Sequence, residues 1–104
     1  MKKVIRDGKV AVLVSDDFGA GWYSWHNIEA LLFHPKIVEL VEQDRNNEIT
    51  EQLCQEILGI KEYICVLGAG GLTIEWLPIG TAFKIEEYDG AETLRTLSDL
   101  VLIA

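Results

Sequence analysis

Two Asp-Gly dipeptides constrain the fold of this chain more than any other feature of its sequence. Asp7-Gly8 separates a short β-prone run from alternating apolar residues over 9–14. Asp89-Gly90 separates two further β-prone runs, over 82–88 and 92–97. Asp-Gly between such runs favours a two-residue hairpin turn, because both turn residues adopt positive φ. The sequence therefore predicts one antiparallel hairpin near each end of the chain.

Between the hairpins, apolar residues recur at helical spacing. Asn27 is expected to cap a helix over 28–33, and Pro35 to begin a second helix. Asn47 is expected to cap a third helix that stops at Gly59. Helices in one block between strands predict an α+β fold, with a mostly antiparallel sheet of about five strands packed on three short helices.

The remaining segments complete this expectation. Alternation over 72–76, ended by Pro78, predicts a half-buried strand. Residues 61–67 fit either a strand or an irregular crossing segment, and the glycine-rich stretch 68–71 fits a turn. The apolar residues 100–103 predict a short terminal strand.

Size and composition indicate a globular protein. The 104 residues are 49% hydrophobic and 25% charged, which suits one core, so a single α+β domain over 1–104 is expected. The first ten residues lack the apolar stretch of a signal peptide. No run approaches the roughly 18 apolar residues that cross a bilayer. The expected location is the cytoplasm.

The charge balance limits the partners. Seventeen acidic against nine basic residues give a net charge of −8, which repels nucleic-acid phosphates and anionic membranes. Neither nucleic acid nor a membrane is therefore expected as a partner. The charge is compatible with binding to a basic protein, and with mimicry of a polyanion. Solubility alone would also explain the charge.

Cys54 and Cys65 are too few and too isolated for a metal site or a disulfide scaffold, so both are expected to be small buried residues.

Residues 15–26, SDDFGAGWYSWH, gather glycines, aromatic rings and a histidine where a strand gives way to a helix. Gly19 and Gly21 resemble the start of a dinucleotide fingerprint, but Ser24 occupies the third glycine position and no strand follows. Ser15 or Ser24 could be arranged on paper with His26 and Asp16 as a catalytic triad, but the segment lacks the glycine-flanked elbow of a catalytic serine. Neither a catalytic residue, a metal ligand nor a cofactor is therefore assigned.

The same loop is the best candidate for binding. Three adjacent aromatic residues cannot all point inward, so at least one ring is expected to be partly exposed. A structural corner, a protein-contact surface and a small-ligand site all fit this pattern. The candidate contact residues are Phe18, Gly19, Gly21, Trp22, Tyr23, Ser24, Trp25, His26 and Asn27; residues 18–26 are called the aromatic loop below.

The function that these observations favour is a small, acidic, non-enzymatic binding protein that contacts a protein partner or a second copy of itself as a homodimer. The alternative is a domain that binds a nucleotide-like or sugar-like small molecule at the same loop, with weak hydrolytic activity. The acidic side chains of the C-terminal half are expected to form a solvated sheet rim, comprising Glu75, Glu86, Glu87, Asp89 and Glu92.

Two motifs resemble a group of short, single-domain proteins encoded in phages, prophages and bacterial genomes. The first is GAGWYSW at 19–25, and the second is IEWLPIGTAFKIEEYDG at 74–90. One departure is His26, where asparagine is more usual in that group. The resemblance implies a compact α+β domain with an accessory or regulatory role in a bacterial or phage-infected cell, and it brings no activity with it.

Overall fold

The computed structural model describes residues 2–97, and the predicted terminal strand over 100–103 lies outside them. Within the described part the chain is an α+β fold with five strands in two antiparallel sheets. The strands are β1 (Ile5–Arg6), β2 (Lys9–Ser15), β3 (Leu72–Pro78), β4 (Phe83–Tyr88) and β5 (Ala91–Thr96), and the α-helices are α1 (Ala30–Phe33), α2 (Pro35–Glu42) and α3 (Glu51–Leu58).

The first sheet has the order β1-β2-β3. Asp7 and Gly8 both have positive φ in the turn between β1 and β2, as predicted. β2 is the central strand, and it pairs with β3 along its whole length, from Lys9 opposite Pro78 to Ser15 opposite Leu72. Residues 11–15 are buried on both faces of the strand, which confirms the interpretation of its two apolar faces.

The single predicted sheet is instead two, because β4 and β5 form a separate hairpin. Its turn is Asp89-Gly90, with Tyr88 opposite Ala91. The hairpin packs over one face of β2, where Val12 and Val14 belong to an apolar cluster that also includes side chains of β4, β5 and α1. Covering this face removes its apolar surface from water, which extending the edge of the first sheet would not do.

The helices lie within the predicted block, but two of their starts were predicted wrongly. Asn27 has a left-handed backbone (φ 56°) and α1 begins after Glu29, so Asn27 does not cap it. Thr50, rather than Asn47, caps α3 by accepting a hydrogen bond from the Leu53 amide. The predicted stop of α3 at Gly59 is confirmed by the left-handed conformation of that residue.

The second helix, α2, begins at Pro35 as predicted. His34 is its N-cap, because Nδ1 of its ring accepts a hydrogen bond from the Lys36 amide. Burial lowers the pKa of His34. None of the helices within residues 2–97 could span a membrane.

The larger core cluster lies on the other face of β2. Ala11 and Leu13 pack there with Trp22, with α1 and α2 and with Cys54 of α3. Both cysteines are buried and unpaired, as predicted, and burial raises the pKa of the Cys54 thiol to about 11. The aromatic loop therefore contributes one of its rings to the centre of the protein.

Candidate functional site

A buried carboxylate on β5 holds the aromatic loop in place. Glu92 is only 3% exposed. Its Oε1 accepts a hydrogen bond from the Ser15 amide at 3.0 Å. Its Oε2 accepts from the Trp22 amide (2.9 Å), the Ser24 amide (2.8 Å) and the Ser24 hydroxyl (2.6 Å). One side chain thus ties the end of β2, the loop and the hairpin together.

Sequence reasoning placed Glu92 wrongly. It was expected on the solvated rim of the sheet, whereas its carboxylate is enclosed and all four of its partners are donors. The other members of the predicted rim, Glu75, Glu86, Glu87 and Asp89, are exposed, as expected. A buried carboxylate is stable only when hydrogen bonds replace its lost hydration, and the loop amides supply them.

Glycines let the surrounding elements approach the loop closely. Gly90 lies so near to the backbone of Gly19 and Ala20 that a side chain there would overlap it. Gly68 lies in the same way against the Ala20 and Gly21 carbonyls. The open side of Gly21 is filled by the side chains of Ser24 and Trp25. Side chains of the protein itself therefore cover the backbone of Gly21, while Gly19 has open space where a side chain would lie.

The rings of the loop separate into buried and exposed sets. Trp22 is fully buried, and its indole Nε1 donates to the Leu31 carbonyl at 2.7 Å, so its ring is not available to a partner. Tyr23 is partly buried. Trp25 is 44% exposed and Phe18 is 70% exposed. The expectation that at least one of the rings of Trp22, Tyr23 and Trp25 is partly exposed is confirmed by Trp25.

The exposed rings are attached to the β4–β5 turn. Phe18 meets Tyr88 edge to face, with ring centroids 6.4 Å apart, and Tyr88 is itself 78% exposed. The Trp25 indole donates to the Glu87 carboxylate at 2.9 Å. The Gly19 amide donates to the Asp89 carbonyl at 2.6 Å. Phe18, Trp25 and Tyr88, called the aromatic patch below, therefore lie around one turn.

The polar residues of the loop have separate partners. Ser24 donates to Glu92, whereas the His26 ring accepts from the Cys65 amide through Nε2 at 3.1 Å. The Ser15 hydroxyl donates to the Gly68 carbonyl at 3.0 Å. The side chains that could be arranged on paper as a serine triad are thus held by different parts of the fold. Residues 2–97 contain no cluster of three or more His, Cys, Asp or Glu side chains suited to a metal ion.

The buried carboxylate generates a first prediction. In Glu92→Gln one carboxylate oxygen becomes an NH₂ group, which must face either the Ser15 amide or the three donors of the loop. We expect the free energy of unfolding to fall by roughly 2–3 kcal/mol, because a buried donor loses its acceptor. Urea denaturation measures this loss. The control is Glu87→Gln on the facing strand, where the exposed side chain keeps an acceptor for Trp25 and the change should be about 0.5 kcal/mol or less. Equal losses in the two variants would contradict the role of Glu92.

The close approach at the hairpin turn generates a second prediction, with a matched pair of glycines. Gly80 and Gly90 have nearly the same positive φ, 87° and 88°, but Gly80 has open space where a side chain would lie. Gly80→Ala should cost roughly 1–2 kcal/mol of stability through backbone strain alone. Gly90→Ala should cost a further ~1–3 kcal/mol, because the loop backbone must move. Thermal and urea unfolding of both variants measure the difference, and its absence would show that the contact is not tight in solution.

No family model, curated protein or solved structure matches the chain. The motif resemblance to phage and prophage proteins therefore stays a prediction.

Proposed function

We propose that the protein is a small, non-enzymatic binding protein whose aromatic patch contacts a basic protein partner. The observation that carries this proposal is the exposure of Phe18, Trp25 and Tyr88 around a single turn. Aromatic side chains are enriched among the residues that dominate binding energy at protein interfaces. Packing in the hydrophobic core does not explain why these three side chains are exposed to solvent.

The patch is pre-organised. Glu92 fixes the loop backbone at Trp22 and Ser24, and the Asp89 carbonyl fixes it at Gly19. The hydrogen bond to Glu87 holds the Trp25 ring. A surface that is ordered before binding loses less conformational entropy when a partner arrives, so more of the contact energy appears as affinity.

The charges around the patch favour a cationic partner. The chain has neither Lys nor Arg between Lys9 and Lys36, a stretch that contains the whole aromatic loop. Exposed acidic residues precede Phe18 and flank Tyr88: Asp16, Asp17, Glu87 and Asp89. Arginine and lysine side chains bind to carboxylates and also stack on aromatic faces. The combination suits a partner segment rich in these residues.

The same charges argue against a second copy as the main partner. A two-fold symmetric dimer through the patch would bring the acidic residues around it close to the acidic residues of the other copy. Like charges brought together in this way oppose association. The proposed partner is therefore a different protein, and the resemblance to phage and prophage proteins is compatible with an accessory protein that binds a protein of the infected cell.

This proposal predicts binding to an arginine-rich peptide that lacks aromatic residues. Titration followed by tryptophan fluorescence should show affinity that falls as salt is added, because screening weakens the attraction. Phe18→Ala and Tyr88→Ala should each weaken binding by about tenfold, the loss of about 1.4 kcal/mol that one anchor residue commonly supplies. Their melting temperatures should stay close to that of the wild type, because both side chains are largely exposed.

The matched control is Tyr63→Ala, since Tyr63 is 71% exposed, like Phe18, but lies outside the patch. Its affinity should equal that of the wild type. A glutamate-rich peptide that binds as well as the arginine-rich one would contradict the charge argument. Wild-type affinity in Phe18→Ala and Tyr88→Ala would remove the patch from the interface. A dimer in sedimentation experiments that both substitutions dissociate would make a second copy the partner instead.

A further inference from the structure

A separate cleft lies beside the aromatic loop, between the short 3₁₀ helix Tyr23–Trp25, α1 and β4. Its volume is about 480 Å³, within the range of small-molecule sites. Leu32 and Phe33 line it from α1, and each is only 4% exposed. Phe83 and Ile85 line it from β4, with Phe83 set edge to face against Phe33. The cleft therefore has a substantial apolar lining.

The polar lining of the cleft is mostly made of donors. Lys3 and Lys84 supply ammonium groups, Tyr23 a hydroxyl and Asn27 an amide, while Glu29 supplies the one carboxylate. Within residues 2–97, neither the Tyr23 hydroxyl nor the Asn27 side chain has a hydrogen-bond partner, and Lys3 contacts the Phe33 ring, 4.2 Å from its centroid, without an ion pair. These groups are free to bind a ligand.

The charge of the cleft is opposite to that of the protein. Lys84 pairs with Glu86 at 3.3 Å, but Glu86 also contacts Arg95 at 3.8 Å, so one carboxylate is shared by two cations. With Lys3 and Glu29 included, the side chains that the structure describes at this site carry one net positive charge. In a protein of net charge −8, this is a local site where an anion is attracted rather than repelled.

From this geometry we propose that the cleft binds a small organic carboxylate with a planar apolar body. The single excess positive charge suits a monoanion, and the neutral donors of Tyr23 and Asn27 suit the remaining lone pairs of a carboxylate. The apolar side chains of α1 and β4 suit a ring. The site shares no residue with the aromatic patch, so it goes beyond the proposed protein contact and does not depend on it.

Benzoate is the probe that tests the cleft, in a titration followed by amide ¹H–¹⁵N NMR spectra. We expect saturable shifts confined to residue 3 and to residues 23–33 and 83–85, with a dissociation constant on the order of 1 mM, as a ligand of so few atoms allows. Benzamide has the same shape without the charge and should bind about tenfold more weakly or not at all.

Lys3→Gln should weaken benzoate binding by about tenfold, because it removes the ammonium group that has no carboxylate partner among residues 2–97. The control is Lys61→Gln, an exposed lysine outside the cleft, which should bind as the wild type does. Phe18→Ala should also leave benzoate affinity unchanged, which separates this test from that of the aromatic patch. The spectra report at the same time whether each variant is folded.

Three results would overturn the proposal. Benzamide could bind as tightly as benzoate, Lys3→Gln could bind as tightly as Lys61→Gln, or the shifts could be scattered over the surface without saturation. A parallel titration with phenyl phosphate tests a ligand that has the same ring and a more highly charged head group. Binding of phenyl phosphate more than about tenfold tighter than benzoate, a difference of about 1.4 kcal/mol, would overturn the assignment of a carboxylate ligand.

Discussion

The hydrogen bonds of the Glu92 carboxylate are the interaction on which the rest of the structure depends. They join three parts of the chain: Ser15 at the end of β2, the loop at Trp22 and Ser24, and β5. Because the donors are mainly backbone amides, the carboxylate sets the path of the loop rather than the position of one side chain. That path sends the Trp22 ring into the core and leaves Trp25 at the surface. The core and the proposed contact surface therefore share one polar anchor, whose desolvation is offset only while all its partners stay in place.

Much of the fold follows from local chemistry and was predictable for that reason. Asp7-Gly8 and Asp89-Gly90 form the expected turns because their conformations depend on the two residues themselves. Gly59 ends its helix for an equally local reason. The division into two sheets was not predictable in this way. Strand alternation shows which residues face inward, but it does not show which other surface they meet, and here Val12 and Val14 meet the second hairpin. Asn27 was assigned as a cap by residue type, whereas its backbone continues the preceding turn, donating to the Tyr23 carbonyl.

The candidate site was predictable only in part. The crowding of rings in the loop indicates that some are exposed, and Phe18 and Trp25 are. The sequence also carried a signal for Glu92. A two-residue turn at Asp89-Gly90 places Glu92 opposite Glu87 and on the same face as Leu94, which is the face that packs inward. An acidic residue at such a position is usually solvated. Glu92 is buried instead because amides some 70 residues away in the chain donate hydrogen bonds to it. No local sequence pattern shows that these amides lie next to Glu92 in the fold.

The way in which the loop is fixed also bears on how binding specificity could change. Its path is set by amides hydrogen-bonded to Glu92 and by close packing against glycine backbone. The side chain of Phe18 contributes to neither. The proposed contact at Phe18 and the fixing of the loop backbone thus depend on different positions of one short segment. A chain that keeps the carboxylate and the glycines can exchange the largely exposed rings of Phe18 and Tyr88 at little cost in stability, so under the proposed function one backbone can serve as a scaffold for several specificities.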